Sequence, residues 1–178
     1  MVERHGGGAI VVVDYDPAWP ARFAAARDAV ARALGDLVVA IEHIGSTSVP
    51  GLAAKPIIDL MVGLRDLADA RTRAVAPMQA LGYLYLPEYE SWLTDELFFR
   101  KGPPGPWTHH AHLMEPANPR WTKHLVFRDH LRAHPAEAAA YAAEKRRLAA
   151  QHGDDIAAYR VGKSAFVAAA HARARGEC

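Results

Sequence analysis

The apolar positions of this chain change period along its length, which divides it into a strand-bearing part and a helical part. Short runs rich in Val and Ile lie at Leu37 to Ile44 and at Pro56 to Leu64, bounded by turn residues, and predict two strands. Ala9 to Val13 reads as a further short strand. Asp16 and Pro17 then form a cap and first-turn pair that opens an Ala-rich helix to about Leu34, with Trp19, Phe23, Val30 and Leu34 as its buried stripe. Asp66 to Leu81 reads as a second helix, weakened or kinked near Pro77 and ended by Gly82. Leu84 to Leu86, Glu96 to Lys101 and Thr108 to Met114 read as strands, the last two joined by a loop of Gly102, Pro103, Pro104, Gly105 and Pro106. From Asn118 the period is helical. Asn118 and Pro119 repeat the cap-plus-proline signature, Pro135 opens another helix after His134, and helices are expected at Pro119 to Ala133, Pro135 to His152 and Asp154 to about Arg175. Strands first and helices last predict an α+β fold. A mixed sheet carries helices in front of it and a C-terminal helical layer, with residues 1–117 the sheet-bearing core and 118–178 the helices of one domain.

Length and charge narrow the picture. At 178 residues the chain can bury a sizeable core. A net charge of +1 argues against nucleic acid held by bulk electrostatics. The single cysteine, Cys178, allows no disulfide within one chain, which fits a reducing, cytoplasmic setting. Met1 to Ala9 is polar and Gly-rich and does not read as a secretory signal, and no apolar window reaches the length of a membrane span.

The chemistry concentrates between His43 and Val62, read as HIGSTSVPGLAAKPIIDLMV. A Gly45-Ser46 turn follows the first strand, with Thr47 and Ser48 beside it, and such a turn offers backbone N–H groups and hydroxyls to phosphate oxygens. Asp59 rises from the middle of the next apolar strand, where a carboxylate must be hydrogen-bonded, paired or bound to metal. This arrangement resembles the nucleotidyltransferase superfamily, and more closely the GrpB family, also called UPF0157, small bacterial proteins placed in that fold. The superfamily pattern puts a second acid two residues after the first. Here that position is Met61, and the GrpB family likewise keeps only the first acid.

In Trp107 to Glu115, WTHHAHLME, strand alternation puts Thr108, His110 and His112 on one face. Two imidazoles spaced in this way can bind one metal ion or flank one phosphate. Asp59, His110 and His112 are therefore the expected catalytic residues and the expected ligands of a divalent metal (Mg, Mn or Zn). The GrpB family also carries a histidine-rich strand at this place. On the helix that contains FRDHLRAHP, Arg128 and Arg132 are four residues apart and can clamp a polyanion or form a solvated basic face. FRDHLRAHP also resembles a signature of the family. Tyr141 and Lys145, then Tyr159 and Lys163, repeat an i, i+4 spacing that the GrpB pattern shares, with Lys163 and Tyr159 expected near a phosphate and a base. Lys55 stands in the loop ahead of Asp59 and can neutralise it or meet a phosphate. His43 can line the pocket floor or be a buried, hydrogen-bonded residue. Glu88 and Glu90 read as loop acids.

The expected phosphate-binding set is thus Gly45, Ser46, Thr47, Lys55, Arg128, Arg132, Tyr159 and Lys163. The resemblance implies a nucleotidyltransferase-like enzyme acting on a nucleotide or another small molecule. Imidazole is a poor magnesium ligand, so an acid/base or metal-dependent enzyme acting on a metabolite is the second reading. GrpB-like domains fused to dephospho-CoA kinase, described as accessory, supply a third.

Overall fold

The computed structural model describes residues 10–93, 95–102 and 106–176. The elements are α1 (Trp19–Leu34), β1 (Val38–Ile44), β2 (Ile58–Leu64), α2 (Leu67–Arg73), α3 (Val75–Ala80), β3 (Tyr83–Tyr85), β4 (Leu97–Lys101), β5 (His109–Met114), α4 (Pro119–Ala133), α5 (Pro135–His152) and α6 (Ile156–Ala174). The sheet order is β1-β2-β5-β4-β3. Strands β2 and β5 run parallel and the other neighbours antiparallel, so the sheet is mixed and the fold α+β.

The alternation of side chains assigns a task to each face of the sheet. Ile58, Leu60, Val62, Leu97, Phe99, Ala111 and Leu113 enter one core with Trp19, Val30 and Leu34 of α1 and Met78 of α3. Burial of each large side chain there stabilises the fold by roughly 1.5–3 kcal/mol. The other face bears Asp59, Met61, His110, His112 and Arg100. Cross-strand pairing aligns Ile44 with Asp59, Asp59 with His110, and His110 with Arg100. This row of neighbours is the floor of the site. The Pro/Gly loop between β1 and β2 packs through Val49, Leu52 and Ala53 against Leu131, Ala138, Tyr141 and Ala142 of the C-terminal helices, closing the site from one side.

Local chemistry explains the boundaries. Asp16 Oδ1 accepts the Ala18 N–H at 2.8 Å, so the cap acts as expected, but α1 begins at Trp19. The predicted second helix is two helices that meet at Ala74. Pro77 cannot bond to the carbonyl four residues back, at Arg73, and its ring crowds it, so the break falls at that carbonyl rather than at the proline. Ala9 lies outside the described residues, and Ile10 to Val13 form no strand; Val13 makes one antiparallel bridge, to Ala54. The third strand is Tyr83–Tyr85, one residue earlier than its pattern suggests. The C-terminal helices match closely, capped by Asn118 and Asp155 side chains, with Gly153 (φ +57°) ending α5. Among the described residues no helix is long and apolar enough to cross a membrane.

Candidate functional site

A cleft of about 380 Å³ opens over the polar row of the sheet. Its lining includes Ser46, Thr47, Lys55, Asp59, His110, His112, Tyr159 and Lys163, so most of the residues singled out in the sequence converge. Gly45 stands directly behind Asp59, with φ +70° and ψ −177°. A Cβ there would overlap Asp59 Oδ2 and sit 3.0 Å from Cγ. The turn thus needs glycine both for its backbone and for the closeness of the carboxylate.

Asp59 Oδ1 and His110 Nδ1 lie 3.0 Å apart, with the two side chains 24 % and 20 % exposed, enough to meet a ligand. Burial alone would raise the Asp59 carboxyl, but the hydrogen bond from His110 and the nearby imidazoles hold it below its ordinary range. Desolvation pushes His110 the other way and outweighs the pull of Asp59, so its imidazole titrates below the usual value. At neutral pH the pair is a carboxylate receiving the Nδ1–H of a neutral ring, which leaves Nε2 as the proton-accepting nitrogen.

Around this pair lies an excess of positive charge. Lys55, Lys145, Lys163, Arg100, Arg120 and Arg160 line the cleft, and Asp59 is the one acid among the lining residues. Among the described residues the side chains of Lys55, Lys163 and Arg160 have neither a hydrogen bond nor an ion pair. Lys163 Nζ stands 4.5 Å and Lys55 Nζ 5.9 Å from the Tyr159 ring centroid. Arg100 donates to the Tyr89 hydroxyl at 2.7 Å and lies over the rings of Tyr89, Phe98 and Trp107, with its buried Nε unpartnered. Burial and the neighbouring cations lower Lys145 to about 7 and Lys163 to about 8. The unfolded chain therefore binds more protons than the folded one across that range. Stability carries the full cost of the charged amines below pH 7 and recovers as pH rises toward the free lysine value of 10.5. Urea unfolding at pH 6.5 and 9 tests this: the wild-type midpoint contains a component that rises with pH, and Lys145→Met with Lys163→Met removes it.

Other expected residues lie elsewhere. Arg128 donates to Glu42 Oε2 at 2.7 Å and to the His43 carbonyl at 3.1 Å, and pairs with Asp129. Arg132 grips the Ser48 carbonyl through Nε at 3.0 Å and Nη2 at 2.8 Å. Arg128 thus fastens α4 to β1 and Arg132 fastens it to the Gly-Ser loop, and neither lines the cleft. His43 is 8 % exposed, stacked on Phe23 and bonded to the Thr47 hydroxyl, so it serves the α1 side of the sheet. The Thr47 hydroxyl also donates to the Ile57 carbonyl at 3.2 Å and is spent on the loop. Lys55 forms no ion pair with Asp59. Tyr141 is buried against Phe166, whereas its neighbour Lys145 reaches the cleft and donates to the Ala53 carbonyl. Glu90 pairs with Arg71 and Tyr85, away from the cleft. Cys178 lies outside the described residues.

Several residues were not evident from the sequence. Arg100 follows from alternation with Phe98 on β4, and Arg120 with His124 from an i, i+4 face of α4, but neither carries a recognisable motif. Glu96 was read only as a strand start; it is fully buried, touches His112 Nδ1, and lies 3.1 Å from Arg120 Nε. Met61 shares the face of Asp59 yet is sealed at 0 % exposure in a cluster with Ile44, Met114 and Trp121.

A divalent metal was expected on Asp59, His110 and His112. Among the described residues no group of three or more His, Cys, Asp or Glu side chains is arranged to hold a metal ion. The Nδ1 atoms of both histidines are already turned to carboxylates. Turning Nδ1 to a carboxylate leaves Nε2 of each ring as the nitrogen that would meet an ion, with Asp59 beside them.

A mixed α+β sheet with a Gly-Ser turn behind a strand carboxylate and a C-terminal helical cover defines the class of protein. The family described as GrpB protein matches residues 9–173, and the chain belongs to that family. It is 44 % identical over 163 residues to the UPF0157 protein PA4798 of Pseudomonas aeruginosa, covering 89 % of this chain and 65 % of that protein. It is 39 % identical over 166 residues to the UPF0157 protein YqkA of Bacillus subtilis, covering 93 % of this chain but only 47 % of YqkA. The chain thus spans about half to two thirds of the length of these bacterial relatives. The crystal structure of GrpB from Enterococcus faecalis superimposes with a TM-score of 0.85 at 36 % identity, covering 94 % of this chain and 98 % of that one. A dephospho-CoA kinase of Mycolicibacterium paratuberculosis is 31 % identical over a segment that takes in 92 % of this chain and 45 % of the kinase.

Proposed function

We propose that the chain is an enzyme that binds a phosphate-bearing small molecule in the cleft and uses Asp59 and His110 for proton transfer on it. One observation carries this reading: a carboxylate-imidazole pair and an excess of cations, several without partners, line the same cleft. Mutually repelling buried cations are costly, and an anionic ligand removes that cost. Lys163, Lys55 and Arg160 receive the anion, with the Ser46 turn at its edge. His110 Nε2 accepts a proton from the substrate or from water, and Asp59 stabilises the imidazolium that results. Tyr89 and Trp92, stacked at 4.8 Å on the cleft wall, offer a flat surface to an aromatic or apolar portion of the ligand.

Nucleotide transfer, which the resemblance implies, shares the anion site and Asp59. It has less support because the described side chains gather no group of three or more metal-ligating residues. Thermal unfolding in the presence of a panel of phosphate-bearing metabolites and nucleotides, with and without divalent ions, tests the proposal. At least one phosphate compound raises the melting temperature of the wild type without added metal, and Asp59→Asn retains binding but not turnover. If no phosphate compound stabilises the wild type under any condition, the proposal fails.

The likeness to a dephospho-CoA kinase segment favours a second reading, an accessory domain. That role tolerates both Asp59→Asn and His110→Ala and shows its phenotype only beside a partner domain.

A further inference from the structure

Met61 removes the acid expected beside Asp59, yet a second carboxylate stands buried behind the cleft floor. Glu96 immediately precedes β4, and its carboxyl meets His112 Nδ1 while its own side chain is 0 % exposed. The chain approaches it through Asp95, whose φ of +60° lies in the left-handed region that non-glycine residues seldom occupy. The Asn118 side chain holds that turn by donating to the Asp95 carbonyl at 3.2 Å. A kink pinned in this way, directly ahead of a buried acid, fixes where the acid points.

The Glu96 carboxyl has two neighbours, Arg120 and His112. Arg120 is 39 % exposed as a whole, but its Nε is buried 3.1 Å from Glu96 Oε2, so one oxygen of the acid faces a cation. A fully buried acid is expensive unless its interactions repay it. The other group that it touches is His112, which lines the cleft two residues from His110 on the same face of β5. Two carboxylate-imidazole pairs thus stand side by side, Asp59 with His110 in the cleft and Glu96 buried behind His112.

We propose that Glu96 is a positioning residue that holds His112 with Nδ1–H turned to the carboxylate and Nε2 open to the cleft, making His112 a second proton-transfer group of the site. The inference rests on the reading of the cleft as an enzyme site and narrows its reaction to one in which two protons move. His110 Nε2 takes a proton from one substrate atom as that bond to hydrogen breaks. The electron pair left on that atom forms the new bond as the bond to the departing atom breaks; His112, carrying at Nε2 a proton drawn from solvent, gives it to the departing atom, and His110 returns its own proton to solvent so that protons balance over the cycle, while Glu96 stabilises the His112 imidazolium.

Carbethoxylation tests this without any known substrate, because diethylpyrocarbonate adds only to an imidazole nitrogen that carries a free lone pair and can be reached. Peptide mass spectrometry of the labelled full chain at pH 7 should find His112 and His110 both modified. In Glu96→Ala, His112 labelling falls several-fold because its lone pair is no longer held toward the cleft, while His110 is unchanged; Glu96→Gln, whose amide oxygen still accepts the Nδ1–H, restores it. A His112 that resists labelling in the folded wild type, or that labels equally in wild type and Glu96→Ala, overturns the proposal. Should Glu96→Ala fail to fold, the long-range proton-nitrogen spectrum of the wild type decides: an Nδ1–H tautomer at His112 upholds the assignment and an Nε2–H tautomer refutes it. Suppression of labelling by inorganic pyrophosphate reports separately on the anion site, so the two ideas fail independently.

Discussion

Gly45→Ala is expected to be among the most damaging single changes in the chain. Its backbone lies at φ +70° and ψ −177°, a region essentially closed to residues with a side chain. The strain there costs about 1–3 kcal/mol, and forcing a methyl group into a filled space adds about 1–3 kcal/mol more. That methyl would land on Asp59 Oδ2, so the carboxylate must leave its place beside His110. Thermal unfolding should show a melting temperature lower by roughly 4 °C or more, at about 2–4 °C per kcal/mol for a chain of this size. The Nδ1 environment of His110 should change with it. A variant that melts within about 2 °C of wild type, with His110 undisturbed, would mean that the turn and the carboxylate are not packed together.

Met61→Asp, which writes the missing acid of the superfamily pattern back into the chain, should also be strongly destabilising. The position looks permissive because Asp59 lies two residues away on the same face, but the surroundings differ. Met61 is enclosed by Ile44, Met114 and Trp121, with no cation in the cluster to receive a charge. An unpaired buried carboxylate costs about 3–5 kcal/mol, which lowers the melting temperature by roughly 6–20 °C. Met61→Leu, close in volume, should cost under about 1.5 kcal/mol. If Met61→Asp instead folds normally and gains tight divalent-ion binding, the apolar seal beside Asp59 is not what sets the chemistry of this site.

These two positions also mark how far the sequence could be read. Gly45, Ser46 and Asp59 were legible because strand runs, a turn and a lone acid in an apolar strand are local signals, and the C-terminal helices were legible because their caps and prolines are local too. His110 and His112 followed from strand alternation. Arg128 and Arg132 share a helical face as their spacing implies, but spacing says nothing about which neighbour that face meets; the carbonyls of His43 and Ser48 and the carboxylate of Glu42 take them. Glu96 gives no local signal because its importance arises from register: it immediately precedes a strand whose first residue, Leu97, lies opposite Leu113, and only that pairing brings it to His112. Arg100 and Arg160 belong to the same category, contributed by separate elements that meet at the cleft. The break at Ala74 was displaced for a simpler reason, since a proline disturbs the carbonyl four residues before it.

The central claim is that unpartnered cations in the cleft bind a phosphate-bearing ligand. Isothermal titration of inorganic pyrophosphate into the wild type at pH 7, beside Lys163→Gln and the surface control Lys123→Gln, tests it most directly. A charge-assisted contact is worth about 1.5–3 kcal/mol, so Lys163→Gln should bind roughly ten-fold or more weakly, while Lys123→Gln matches wild type. Binding that is absent in the wild type, or that Lys163→Gln leaves unchanged, would contradict the account.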